Sequence, residues 1–268
     1  MFKRILAILG ISLVVLIAAG YFVAASWLAH QVEEKQVCQT IRVDITDSTE
    51  HRFVQRKDVL EVLQTLPVSL IGQHKDQVNL HELENLLETQ GAIDQVEASL
   101  NDAGTLHLRI TQRRPIARIV TRDGSYYIDQ HNYLFPWSDQ FTAYVPIVSG
   151  SVPMDLGQDF RGHVSDEEAR WMHQILAVIN YIDAHPFWHA QIQQIHVEKN
   201  GNLSLYTRVG DQVIRFGKPE NIDQKFRKLS SFYDHIVPMD GWNTYAEVSV
   251  EYRDQVICTL RKQKRKNR

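Results

Sequence analysis

Three groups of residues have types and spacings that could do chemistry: a histidine set, a run of carboxylates and a run of basic residues beside a proline. His185, His189 and His196 come nearest to a metal site, because imidazoles four apart share one face of a helix. Pro186 lies inside that spacing and breaks the helix that would align them, and no cysteine or carboxylate completes a tetrahedral set. Asp166-Glu167-Glu168 could support acid–base work. Behind Ser165, however, carboxylates at the start of a helix complement its dipole and its free backbone N–H groups. Cys38 and Cys258 stand too far apart in sequence for a CxxC pair, and two cysteines make no disulfide framework. The chain has no GxSxG, Walker loop, GxGxxG or HExxH. These absences weigh against an enzyme without excluding one, and no catalytic residue, cofactor site or metal site is expected from the residues.

The aromatic residues Trp171, Phe187, Trp188, Phe226, Phe232, Tyr233 and Trp242 could line a glycan groove, but their helical spacing points to core packing. Gln112-Arg113-Arg114-Pro115 ends one strand and restarts another beyond a proline, which reads as a junction between folded units.

Before that junction the elements run β-α-α-β-β. Thr40 to Asp44 is a strand candidate, and Gln55 to Thr65 carries an apolar face of Val59, Leu60, Val62 and Leu63 before Pro67. Asn79 with Glu82 caps a second helix whose face is Leu80, Leu83, Leu86 and Leu87, ended by Gly91. Strands Ile93 to Leu100 and Thr105 to Gln112 flank Asn101-Asp102-Ala103-Gly104. Beyond the junction the chain is strand-rich with inserted helices. Strands are expected at Ile116 to Thr121, Ser125 to Ile128, Tyr144 to Val148, Ile192 to Glu198, Leu203 to Thr207 and Gln212 to Phe216. One helix starts at Ser165 and stops at His185-Pro186, and another holds Ile222, Phe226, Leu229, Phe232 and Tyr233. A closing hairpin alternates through Val248, Val250 and Tyr252 and then through Val256, Cys258 and Leu260.

The N-terminus sets the compartment. Ile5 to Leu28 is uncharged and apolar, long enough to cross a bilayer and longer than the apolar core of a cleaved signal peptide. Lys3 and Arg4 before it place the N-terminus in the cytoplasm and the rest outside, as a single-pass type II membrane protein. The net charge of -3 over 268 residues hides basic ends and an acidic body, which excludes nucleic acid as an expected partner. The expected divisions are a cytoplasmic tail (1–4), a transmembrane signal-anchor (5–28), a stalk (29–39), two folded units (40–114 and 115–260) and a basic disordered tail (261–268).

Read in order, these pieces resemble a known family. The run Leu106-His107-Leu108-Arg109-Ile110-Thr111-Gln112-Arg113-Arg114-Pro115-Ile116-Ala117 is followed by Tyr127-Ile128-Asp129 and Val145-Pro146-Ile147-Val148-Ser149-Gly150. Gly201-Asn202-Leu203-Ser204-Leu205, Val213-Ile214-Arg215-Phe216-Gly217, Lys225-Phe226-Arg227-Lys228-Leu229 and Val248-Ser249-Val250-Glu251-Tyr252 then come in the family's order. The chain is similar, over nearly its whole length, to the FtsQ/DivIB bacterial cell-division proteins. It departs at Gln112, where the family has an acidic residue, and at His131-Asn132, where it often has glycine.

The resemblance implies an α+β fold: a POTRA domain (β-α-α-β-β) followed by a strand-rich β domain with inserted helices. It also implies a non-enzymatic scaffold in the inner, cytoplasmic membrane at the division septum, with its C-terminal domain extracytoplasmic (periplasmic). Such a scaffold links early and late division proteins and binds an FtsB/FtsL-type pair, with no small-molecule substrate. The closing strand is the expected docking edge, with Arg227, Tyr252, Val256, Ile257 and Cys258 as partner-binding residues. The competing expectations are a membrane-anchored enzyme acting on peptidoglycan and a POTRA-type translocation component.

Overall fold

The computed structural model describes residues 15–27, 37–47 and 52–262. Of the expected spanning segment, 5–14 and 28 lie outside the described residues, and 15–27 are helical and exposed. No helix among the described residues is long and apolar enough to cross a membrane. The stalk and the basic tail also fall mostly outside them.

The chain divides into two units, one ending at Gln112 and one starting at Arg113, with Arg52 and Phe53 assigned to the second. The first contains β1 (Thr40–Ile45), α1 (Arg56–Gln64), α2 (Leu80–Glu88), β2 (Ile93–Leu100) and β3 (Thr105–Gln112). This is the β-α-α-β-β order expected from the sequence. Asn79 Oδ1 accepts the Glu82 N–H at 3.2 Å and so starts α2, whose Leu83 and Leu87 turn inward. The three-stranded sheet has β3 in the middle, parallel to β1 and antiparallel to β2. That position explains why Leu106, Leu108 and Ile110 on β3 are fully buried while His107 and Arg109 are not. Gln112, the departure from the family pattern, closes this unit: its Oε1 accepts the Val54 N–H at 2.8 Å and its Nε2 donates to Asp47 at 3.1 Å.

The second unit is built on one mixed sheet with strand order β12-β11-β10-β9-β8-β7-β4-β5-β6. Its strands are β4 (Pro115–Val120), β5 (Ser125–Asp129), β6 (Leu134–Pro136), β7 (Ile147–Gly150), β8 (Ile192–Val197), β9 (Leu203–Thr207), β10 (Val213–Gly217), β11 (Tyr245–Ser249) and β12 (Ile257–Leu260). Its helices are α3 (Asp166–Ala184), α4 (Pro186–Gln191), α5 (Ile222–His235) and α6 (Val237–Asp240). Ile119, Ile195, Leu205, Ile214 and Val248 pack with Ile179, Ile182, Phe226 and Leu229 of α3 and α5 in one core. Of the aromatic residues expected to pack inside, Trp188, Phe226, Phe232 and Tyr233 belong to that core and Trp171 packs partly buried against it, while Phe187 and Trp242 are exposed; Phe226 stacks on Tyr181 at 4.3 Å and lies 5.1 Å from Trp188.

Arg113 begins the unit with a buried ion pair to Asp129 at 2.8 Å, its guanidinium 3.7 Å from the centre of the Tyr133 ring. Asp129 also accepts the N–H groups of His131 and Tyr133 at 2.8 and 2.9 Å. A buried carboxylate is thus fully satisfied, which is the condition for tolerating one.

Some elements differ from expectation. The strand expected over Tyr144 to Val148 starts only at Ile147, where β4 and β8 supply partners. Pro186 ends α3 but opens α4, because proline at a first helical position needs no N–H. The three histidines are engaged separately: His185 Nδ1 donates to the Tyr181 carbonyl at 2.7 Å, His189 lies 3.8 Å from Asp183, and His196 sits edge-on to Tyr206.

Candidate partner-binding edge

The end of the chain lies at the rim of the large sheet. β11 runs parallel to β10, and β12 folds back antiparallel to β11, pairing Glu247 with Thr259, Val248 with Cys258 and Ser249 with Ile257. Among the described residues no strand pairs with the other side of β12. Two backbone bonds fix which groups point there. Val250 N–H donates to the Arg215 carbonyl at 3.0 Å, and Arg261 N–H donates to the Thr244 carbonyl at 2.9 Å. Alternation along an extended strand then turns the Ile257 and Thr259 amides towards β11, and the N–H and C=O groups of Cys258 and Leu260 outward.

Side chains on this edge separate onto two faces. Cys258 is half-buried opposite Val248 and packs with Val256 against the core; burial pushes its thiol pKa up, so it stays a neutral apolar filler. A cavity of about 350 Å³ next to it is lined by apolar Phe232, Ile236, Tyr245, Val256 and Cys258 together with polar Lys228, Ser231, His235, Asp254 and Gln255. On the opposite face Ile257 and Thr259 stand beside Tyr252, Glu247 and Arg215 around a second cavity of about 370 Å³. Tyr252, Ile257 and Leu260 are 52%, 43% and 65% exposed, a run of apolar surface along a free edge.

Of the five expected site residues, the structure thus brings Tyr252 and Ile257 to one groove and Val256 and Cys258 to the other. Arg227 lies apart: it is exposed on α5, lines neither groove, and its charge acts on Tyr181. Its neighbour Lys228, which sequence reasoning missed, does the local work. Lys228 Nζ donates to the Val250 carbonyl at 2.8 Å and also to the Tyr252 carbonyl, tying the β11–β12 connection to α5. Burial lowers its pKa. One turn earlier Lys225 is buried, donates to the Lys218 carbonyl at 2.6 Å and lies 4.8 Å from the centre of the Phe216 ring. Burial lowers its pKa too, with the Lys228 charge adding to the effect. The sequence signal for both was the helix's own periodicity: two lysines, three apart, on the side that carries Phe226 and Leu229.

Other strand edges are closed differently. The outward amides of Val96 and Ala98 on β2 donate to side chains of α2, Val96 to Glu88 at 3.1 Å and Ala98 to Glu84 at 2.8 Å. On β6, Leu134 exchanges two 2.9 Å backbone bonds with Gly162. β1 carries exposed Arg42 and Asp44.

An open cleft of about 1150 Å³ lies between Arg122, Asp155, Glu168 and Trp171. Ser165 and Glu168 there form the reciprocal cap of α3, Glu168 Oε2 accepting the Ser165 N–H at 3.4 Å and its hydroxyl at 2.8 Å, an arrangement that closes a helix end and not a base activating a nucleophile. Among the described residues no group of three His, Cys, Asp or Glu could hold a metal.

Comparison with known families agrees with this architecture. A family model for the FtsQ/DivIB C-terminal related domain matches residues 114–259. The chain belongs to the FtsQ/DivIB family. A model for the POTRA-like domain matches residues 36–111. No curated protein matches the chain. Membership in this family points to a cell-division protein from a non-enzymatic family of division-site membrane proteins.

Proposed function

We propose that the chain is a single-pass membrane scaffold of the bacterial division machinery. Ile5 to Leu28 anchors it with the N-terminus in the cytoplasm, so that both folded units stand outside the inner membrane at the septum. It links early and late division proteins and binds an FtsB/FtsL-type pair by strand addition to β12. The observation that supports this reading is the outer edge of β12, unpaired among the described residues, with Cys258 and Leu260 directing backbone donors and acceptors outward beside exposed Ile257 and Leu260. A scaffold of this kind acts by holding partners, so affinity and its location are the quantities to measure.

The test removes one outward donor and little else. Leu260→Pro deletes an amide that faces away from β11, at an exposed edge position where proline is tolerated. Titration of the full chain in detergent with an FtsB/FtsL-type pair should show a loss of about fivefold to a hundredfold, since one strand-to-strand bond and its neighbours are lost, about 1–3 kcal/mol. The melting temperature should be unchanged. Undiminished binding by the folded variant would place the interface elsewhere.

A further inference from the structure

The face of the sheet that carries Ile257 and Thr259 has a charge pattern that constrains what can dock there. Arg215 is the central cation, and it is already committed: its Nη1 is 2.8 Å from Glu198 and its Nη2 2.6 Å from Glu247. Glu247 holds the guanidinium pKa above its usual value, with Glu198 adding to the effect. Glu251 is exposed beside the same groove and makes no ion pair with any described residue; it also lines a neighbouring groove with Lys225, Lys228 and Arg253, and its charge acts on Lys225. Its position is set by Gly217, whose φ of +74° favours glycine and where an added Cβ would lie 2.8 Å from Glu251 Cγ. Three carboxylates thus surround one satisfied guanidinium, and the rim next to Ile257 has an excess of negative charge.

We infer that the strand adding to β12 presents a lysine or arginine on the face it shares with Ile257 and Thr259, towards Glu251 and Glu247, and apolar side chains on the face it shares with Cys258. This rests on the strand-addition reading and deepens it. The two faces of an added strand alternate with period two, so the open-face positions meet the acidic rim and the intervening ones meet the cavity beside Phe232 and Tyr245. A carboxylate on the open face would be placed beside Glu251 and Glu247, and like charges across a strand pair are unfavourable.

Two synthetic strand peptides test this with the full chain in detergent micelles. They share leucine and valine at alternate positions and differ only in carrying lysine or glutamate at the others. The lysine peptide should bind about tenfold tighter at low salt, because attraction is exchanged for repulsion at exposed sites. The gap should narrow at high salt, both peptides should slow exchange of the Cys258 and Leu260 amides, and Glu251→Lys should reverse the order. Equal binding, or tighter binding of the glutamate peptide, with those amides protected would overturn the charge inference and leave strand addition standing. If neither peptide binds nor protects the amides, strand addition itself fails and the inference with it. Protection before any peptide is added would also overturn it: loss of that protection on deleting 263–268 would make the chain's own tail the occupant, and loss on dilution would make it a second copy.

Discussion

Two exposed strand edges in this protein solve the same problem in opposite ways. β2 of the first unit points amides outward at Val96 and Ala98, and Glu88 and Glu84 of α2 reach over to accept them. β12 of the second unit points the amides of Cys258 and Leu260 outward, and among the described residues nothing accepts them. The first edge is finished by its own helix, as edges usually are when pairing with another chain must be avoided. The second keeps its helix for a different purpose. Lys228 of α5 bonds the carbonyls of the connection before β12, so it fixes where the edge runs and leaves its ladder groups free. A helix beside a sheet edge can therefore close the edge or present it, and the choice depends on whether its side chains carry acceptors for amides or donors for carbonyls.

The sharpest way to probe this contrast is a pair of prolines on β12. Ile257→Pro removes an amide that faces Ser249 within the hairpin, so it should both abolish partner binding and destabilise the second unit by about 2–3 kcal/mol. Leu260→Pro should abolish or strongly weaken binding alone. Chemical denaturation beside partner titration separates the two, and equal stability for both would mean that the amide alternation is misassigned.

Opening the closed edge comes next in expected size. Glu84→Ala with Glu88→Ala leaves the Val96 and Ala98 amides without acceptors, at about 1–1.5 kcal/mol each for half-buried charge-assisted bonds. It should also create a pairing edge, seen as concentration-dependent self-association in sedimentation. Glu84→Gln with Glu88→Gln keeps an amide oxygen at each place and should stay monodisperse; self-association there as well would show that charge, not capping, keeps the edge closed.

Lys228→Met keeps the apolar stem but loses both carbonyl contacts. We expect a loss of about 1–2 kcal/mol in stability, discounted for partial exposure, and a several-fold weaker partner affinity as the connection loosens. If affinity holds while stability falls, Lys228 supports the fold without positioning the edge. Arg227→Ala, one residue earlier, is the control and should change neither.

The smallest effect concerns Lys225, whose folded-state pKa is lowered by burial. The unfolded chain binds that proton more tightly, so the contribution of Lys225 to stability rises with pH between its lowered folded value and the ordinary lysine value of about 10.4. Below that window both states are charged and the cost of burying the ammonium is constant. The stability of the parent protein relative to Lys225→Met should therefore increase with pH across the window. Denaturation at a series of alkaline pH values checks the sign, and a relative decrease would mean that the ammonium is better solvated in the folded state than its burial implies.

What the sequence determined by itself is local and periodic. Alternation in Leu106, Leu108 and Ile110, the cap at Asn79, the aromatic face of α5 and the closing hairpin could all be read because each depends on residues a few positions apart. The order of the motifs around Arg113 and Pro115 carried the family in the same way. Tertiary structure decided what long-range pairing decides. β12 became an edge because β11 lies parallel to β10 and nothing described follows, and β2 was closed because α2 happens to place Glu84 and Glu88 over it. The expected charge at Arg227 and the observed one at Lys228 are adjacent in sequence and about 100° apart around the helix. Periodicity says that the two lie on different faces, but only the packed position of α5 says which face meets the carbonyls of Val250 and Tyr252.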